Sequence, residues 1–589
     1  ASAVLNLTNL GGVAVEVTLG DNNESTTYAG KISGIGSIIK KGSGSITLSG
    51  ASDLTGAITI STGTVRVSNS SGLGATSGTT ISSGAALELI GGITISRPLT
   101  INGSGDLSGG ALRSISGANT YSGDITLASN GRINNDAGTL LVSGAINSTA
   151  STLTVGGAGD ITISGAIGLG TGSLTKDGAN KLSLTHSNTY ANTTLTGGIL
   201  SLGASSAVPT GSGTISFLGG MLQFTSSNTT DYSARFDSST ANQVFKFDTN
   251  GQTVTLASAI QSTGGTLAKY GTGTLILAGT NTYTGATTIN TGTIRAANNQ
   301  AFGTTAGGIT VSSGAAIELS NNITIGAEAL TVAGTGVDGT GVIKNVSGSN
   351  TFQGAITLGS DSTFTSDSDG MTLSGAITGA NKTITVNGSA NTTLSGIVGT
   401  TGGSIIKEGS GTLTLSAANT FTGGTTLSVG TITLNHQTAL STGAIFVDAG
   451  AHLNASSGVG AVTIPKITGT GYLDLTNSVV ATLSYNDTYT FPGIITGNGS
   501  LVITEGTNKT LTLSNASSSY TGSTTLTSGV LAISADRNIG ISSNIVFNGG
   551  TLQTTAGFVL SSSHGMTLTQ AAIINVDSGT TLSYGGVIS

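Results

Sequence analysis

Apolar and polar residues alternate with period two over short stretches of the chain. Ile46 and Leu48, Leu182 and Leu184, Leu275 and Leu277, Leu413 and Leu415, and Leu511 and Leu513 point one way, while Thr47, Ser183, Thr414 and Thr512 between them point the other. Such alternation predicts short strands with one buried face. No long segment carries apolar residues at helical spacing, and Gly or Ser interrupts the chain every few residues, so helix is expected to be rare.

The strands recur in a longer pattern. Gly271-Thr272-Gly273-Thr274-Leu275-Ile276-Leu277 is followed by Asn281-Thr282-Tyr283-Thr284-Gly285 and then by Gly292-Thr293-Ile294. Related copies begin near Lys40, Lys176 and Lys407 and at Gly506, with Asn180 and Asn508 standing where other copies have Gly. Asn tolerates left-handed or tight-turn backbone better than most residues, which suits those two positions. Above this repeat lies another of about 230 residues: Ile81–Leu89 returns as Val311–Leu319, and Asn119-Thr120-Tyr121 returns as Asn350-Thr351-Phe352. The expected organisation is two tandem super-repeats, 1–230 and 231–460, and a partial third, 461–589, whose last residues look like the approach to another copy beyond Ser589.

Tyr121 to Tyr190, Tyr283 to Phe352 and Phe352 to Phe421 are each 69 residues apart, close to three turns of 23. Short strands joined by Gly/Asn/Ser corners at that period predict an all-β parallel β-helix of about 26 coils of about 23 residues, roughly 120 Å long at the spacing of stacked strands.

Composition narrows the function. Gly supplies 94 of 589 residues, only 8% are charged, and 26 acidic against 19 basic residues give a net charge of −7. No basic surface is available to neutralise a run of phosphates, so a nucleic-acid partner is not expected. The absence of Cys removes disulfides and thiolate metal sites together. Ala1-Ser2-Ala3-Val4 shows no positively charged segment followed by an apolar core, so no signal peptide is read in this chain.

A Lys, then Gly-x-Gly-Thr-Leu-x-Leu, then Asn-Thr-Tyr/Phe-Thr-Gly, then Gly-x-Ile, as it stands at 269–294 and 407–432, resembles the passenger-associated transport repeats of bacterial autotransporters, the type V secretion proteins. The resemblance implies a right-handed β-helix passenger outside a Gram-negative-type bacterium, carried by a C-terminal barrel that this chain does not contain.

Candidate chemistry is sparse. His186, His436, His452 and His564 are scattered and read as surface residues. Glu88 and Glu318 repeat one another, and Asp53 has no charged counterpart near Asn281, so these read as scaffold positions. Asp361, Asp367 and Asp369 approach a calcium-loop pattern without the following bidentate Glu, and Gly156-Gly157-Ala158-Gly159-Asp160 is a single half of a motif that works in tandem. Lys40, Lys176, Lys269 and Lys407 read as a repeat position capping a corner rather than a ligand stripe. Tyr121, Tyr190, Tyr283, Phe352, Phe421 and Tyr520 read as inner aromatics rather than sugar platforms.

The sequence therefore assigns no catalytic, cofactor-binding or metal residue. It points to a non-catalytic cell-surface adhesin or rigid stalk, whose partner is a host or neighbouring-cell surface ligand or copies of itself. A self-assembling filament or surface-layer protein is the alternative, and a polysaccharide-active enzyme the third reading.

Overall fold

A computed structural model describes residues 3–211, 213–455, 460–541 and 543–589; Ala1 and Ser2 of the amino-terminal stretch lie outside the described residues. The chain divides into two units, Ala1–Gly285 and Ala286–Ser589. Each is a β-solenoid of stacked parallel strands, and together they carry about 27 turns. There is no α-helix among the described residues; short 3-10 turns such as Asp106–Ser108 and Val337–Gly339 sit at corners.

In the first unit Ile125 pairs with Ile146 and Ile146 with Ile167, while Leu153, Leu174, Thr193 and Ile215 form a second column. In the second unit Ile356, Ile377 and Val398 form one column, and Ile384, Ile405, Thr425 and Ile445 another. Within each strand burial follows the alternation: in Thr412–Leu415 the two leucines are buried and the two threonines half-buried. Each turn covers its inner face only by stacking on its neighbours, which is why the apolar positions recur in register.

Turn length corrects the expected 23 residues. Partners lie 19 residues apart at Leu174 and Thr193 and 26 apart at Leu99 and Ile125, with 21 typical of the regular regions. The 69-residue aromatic spacing misled because two copies of one motif sit in different columns. Tyr121 pairs with Val142, Val142 with Ile163 and Ile163 with Leu184, three turns of 21, and Tyr190 lies six residues further along the coil. Asn119-Thr120-Tyr121 belongs to a strand, whereas Thr189 only bridges Gly168 at a corner.

The first unit interrupts its own regularity around 217–247. Phe217 packs its ring against Phe236, Phe245 and Phe247 at centroid distances of 5.0, 5.2 and 5.3 Å, filling the interior where the coil is enlarged. Arg235 donates to the carbonyls of Ala191, Pro209 and Gly213, fastening the inserted segment to the coil beneath.

Candidate functional site

The recurrent lysines are the chemically most distinctive groups of the repeat, and they are inside it. Lys40, Lys176 and Lys269 are fully buried and Lys407 is 2% exposed. Lys40 stands in register between Leu19 and Ile60, Lys176 between Val155 and Leu195, and Lys407 between Val386 and Leu427. The glycine-rich corner that follows each lysine turns carbonyl oxygens inward, and an ammonium supplies three donors to meet them. Lys40 Nζ donates to Lys41 O at 2.6 Å, Gly42 O at 2.8 Å and, one turn on, Thr62 O at 3.3 Å. Lys269 Nζ donates to Tyr270 O and Gly271 O at 2.8 and 2.6 Å, and Lys407 Nζ to Gly409 O and Val429 O. Corner capping is therefore right in kind, but it is done from within. The glycine opening the next turn makes room: a Cβ on Gly63 would lie 2.9 Å from Lys40 Nζ, and one on Gly198 2.7 Å from Lys176 Nζ.

The Asn of each Asn-Thr-Tyr/Phe segment is a second internal staple that the sequence reading did not single out. Asn188 Oδ1 accepts from Ile167 N at 2.9 Å in the turn before, and its Nδ2 donates to Ala207 O at 2.8 Å in the turn after. Asn419 does the same with Val398 and Ala439, and Asn119 and Asn350 accept from Ile93 and Ile323. The motif aromatics are buried as expected: Tyr121, Tyr283, Phe352, Phe421 and Tyr520 show no exposed surface and Tyr190 only 4%. Of the two Asn-for-Gly positions, Asn508 adopts the left-handed conformation, φ 60°. Asn180 does not; its Oδ1 instead accepts from Lys176 Nζ at 2.8 Å.

The remaining candidates are held separately. Glu88 pairs with Arg66 at 2.8 Å and Arg113 at 3.5 Å, and Glu318 pairs with Arg295 at 2.7 Å, cross-turn ladders on the outer faces. Asp53 pairs with Lys31 at 2.6 Å. Asp367 pairs with Lys344 at 2.8 Å, Asp361 accepts from Thr383 N, and Asp369 accepts from Gly348 N and Ser368 Oγ. Asp160 accepts from Lys181 N. Among the described residues no three His, Cys, Asp or Glu side chains converge as a metal site would need. His186 and His436 are engaged with Ser187 and Thr438 at exposed corners, and His452 stacks on Tyr472 beside Asp474. His564 departs from the surface reading: it is fully buried, with Nδ1 2.9 Å from Ser543 O.

Burial shapes the titration of the interior. Desolvation pushes Lys176, Lys269 and Lys407 down to about 8 from the ordinary 10.5 and lowers Lys40 as well. It also raises Glu328 and Glu505 to about 7 from 4.5. Between pH 4.5 and 7 the folded chain holds more protons at the two glutamates than the unfolded one, so stability falls as pH rises. Between pH 8 and 10 the unfolded chain holds more protons at the lysines, so stability recovers. Thermal melts followed by circular dichroism should show a minimum of melting temperature near pH 7–8; a curve flat from pH 7 to 10 would mean that the buried lysines keep ordinary titration.

With this geometry in hand, likeness to known proteins can be placed on residues. The Passenger-associated-transport-repeat family matches at residues 38–67, 174–202, 267–296, 405–434 and 508–533. Four of these segments contain a buried lysine, and in two of them a glycine one turn later, Gly63 or Gly198, clears space for it. The Adhesin BmaC autotransporter of Brucella suis biovar 1 (strain 1330) is 41% identical over 101 residues, which are 17% of this chain and 3% of that protein. The chain thus spans a small part of the length of that relative. No solved structure matches. The five matched repeats, the β-solenoid in which they lie and the likeness to an autotransporter adhesin support an autotransporter passenger with passenger-associated transport repeats.

Proposed function

We propose that this passenger is a non-catalytic adhesin or rigid stalk displayed outside the cell at the outer membrane, and that its tandem sequence units, 1–230 and 231–460 with a partial third at 461–589, lengthen it by duplication. The observation that carries the reading is the direction of the recurrent side chains. The four lysines and the six motif aromatics are spent on the interior, so the repeat maintains a scaffold and leaves Thr- and Ser-rich outer faces free to vary. The printed name of the Brucella relative, an adhesin, supports the same role.

The test is attachment of the fluorescently labelled, purified chain to panels of animal and bacterial cells, with light scattering run in parallel. Saturable binding competed by unlabelled chain is the expected result. Binding that rises linearly without saturation would remove the adhesin role and leave the stalk. Concentration-dependent growth into fibres would replace both with self-assembly.

A further inference from the structure

The fifth repeat breaks the rule that the other four obey, and a cleft lies at the break. Leu501 pairs with Thr524 and Ile503 with Leu526, as Leu174 pairs with Thr193 and Lys176 with Leu195. Ile503 therefore takes the place of the buried lysine. The register then slips between Ile503 and Thr504, and Glu505 fills the corner, where a Cβ on Gly529 would lie 2.5 Å from Glu505 Cβ. Beside this corner, within the second unit, opens a cleft of about 520 Å³, lined among others by Ser441, Thr463, Tyr485, Asn486, Thr504 and Glu505. That size falls within the range of roughly 300–1,000 Å³ typical of small-molecule sites.

Its chemistry is specific. Glu505 is 2% exposed; Oε1 accepts from the Tyr489 hydroxyl at 3.2 Å, while Oε2 is buried without a partner. A buried carboxylate oxygen left unpaired is costly. Two cations stand outside the lining: Lys466 Nζ pairs with Asp487 at 2.7 Å and lies 5.7 Å from the Tyr485 ring centroid, and the Lys509 stem runs beside Gly506, its charge also acting on Asp487. An anionic ligand would meet the Glu505 carboxyl and no basic side chain on the lining itself, and an apolar one would strip water from hydroxyls without replacing it. One carboxylate falls far short of the roughly six to eight oxygen ligands of a calcium site.

We propose that this cleft binds a neutral saccharide, with the half-buried ring of Tyr485 against a sugar C–H face and Asn486 and Glu505 taking its hydroxyls. The proposal rests on the adhesin reading and names its ligand class. Burial, which raises Glu505, keeps a share of this carboxyl protonated near neutrality, so it can donate as well as accept.

Saturation-transfer NMR on the purified chain with gluco-, galacto- and manno-oligosaccharides tests it. At least one probe is expected to bind saturably. Tyr485→Ala should weaken binding by tenfold or more, and Thr442→Trp, at an exposed wall position away from the core, should abolish it by filling the cleft. Circular dichroism would establish that both variants fold. No transfer to any probe, affinity unchanged in the Trp variant, or equal preference for sialylated probes would each overturn the proposal. The two readings separate cleanly: cell attachment that survives both variants removes the cleft and leaves the adhesin, whereas failure of the unaltered chain to attach removes the adhesin while the oligosaccharide spectra stand on their own.

Discussion

Lys176→Ala should open the turn that it caps. The substitution removes the donor to Asp177 O, Gly178 O, Asn180 Oδ1 and, in the following turn, Gly197 O. It also leaves a void where a four-carbon stem was packed between Val155 and Leu195. Truncating a buried long side chain costs about 2–5 kcal/mol, and each buried acceptor orphaned adds about 1–3 kcal/mol where water cannot enter. Removing a buried charge recovers its desolvation cost and offsets part of this, so the expected loss is on the order of 4 kcal/mol, confined to the turns around 174–202 because a solenoid's stability is a sum of neighbour terms. Native-state hydrogen exchange resolves this: amides of Leu174–Lys176 and Thr193–Leu195 should lose protection while those two or more turns away keep theirs. Lys176→Met retains the stem and sheds a buried charge, whose desolvation offsets part of the lost hydrogen bonding. It should therefore cost less than the alanine, and the recovery of stability between pH 8 and 10 should shrink. Unchanged protection in the alanine variant would sink the account of the lysine as a corner cap.

How such a residue escapes a sequence reading is instructive. The alternation of Ile38 with Lys40, Leu174 with Lys176, Leu267 with Lys269 and Ile405 with Lys407 places each lysine two residues after a buried aliphatic, and so on the inner face. The signal was present, but the habit of placing lysine at the surface outweighed it. Strand content, parallel stacking and the buried aromatics were legible because they depend on periodicity, which stacking turns preserve. The turn length was less so. Asn-Thr-Tyr/Phe makes the same inter-turn hydrogen bond from a strand at Asn119 and from a corner at Asn188, so equal motifs do not mark equal columns. The cleft beside Glu505 was invisible for a different reason: its residues come from four separated stretches, 441–442, 463–465, 484–486 and 504–506, brought together only by stacking. The fifth copy departs from the other four at Ile503, where the buried lysine is missing and the register slips, and departures from a local rule are where function is expected to sit.

Gly198→Ala should be more damaging than its one carbon suggests, because two independent constraints meet there. Gly198 has φ +61°, a left-handed conformation that costs an L-residue about 1–2 kcal/mol. A Cβ at this position would also lie 2.2 Å from Asn180 O, 2.6 Å from Gly178 O and 2.7 Å from Lys176 Nζ. Those two oxygens are backbone of the turn beneath, which cannot withdraw without parting a ladder held at about 4.8 Å. Two other glycines of the same unit separate the terms. Gly84 has φ +81° with open space around a built Cβ, so Gly84→Ala isolates the conformational cost of about 1–2 kcal/mol. Gly168 has neither a left-handed φ nor a contact closer than 3.5 Å, so Gly168→Ala should be nearly neutral, within about 0.5 kcal/mol. Gly198→Ala should exceed the Gly84 variant by several kcal/mol, read as lost exchange protection at Lys181–Leu184 and Ile199–Leu202, the strands that pair across the clash. If Gly198→Ala and Gly84→Ala cost the same, the close approach of successive turns is not what requires glycine after each buried lysine, and backbone conformation alone explains the motif.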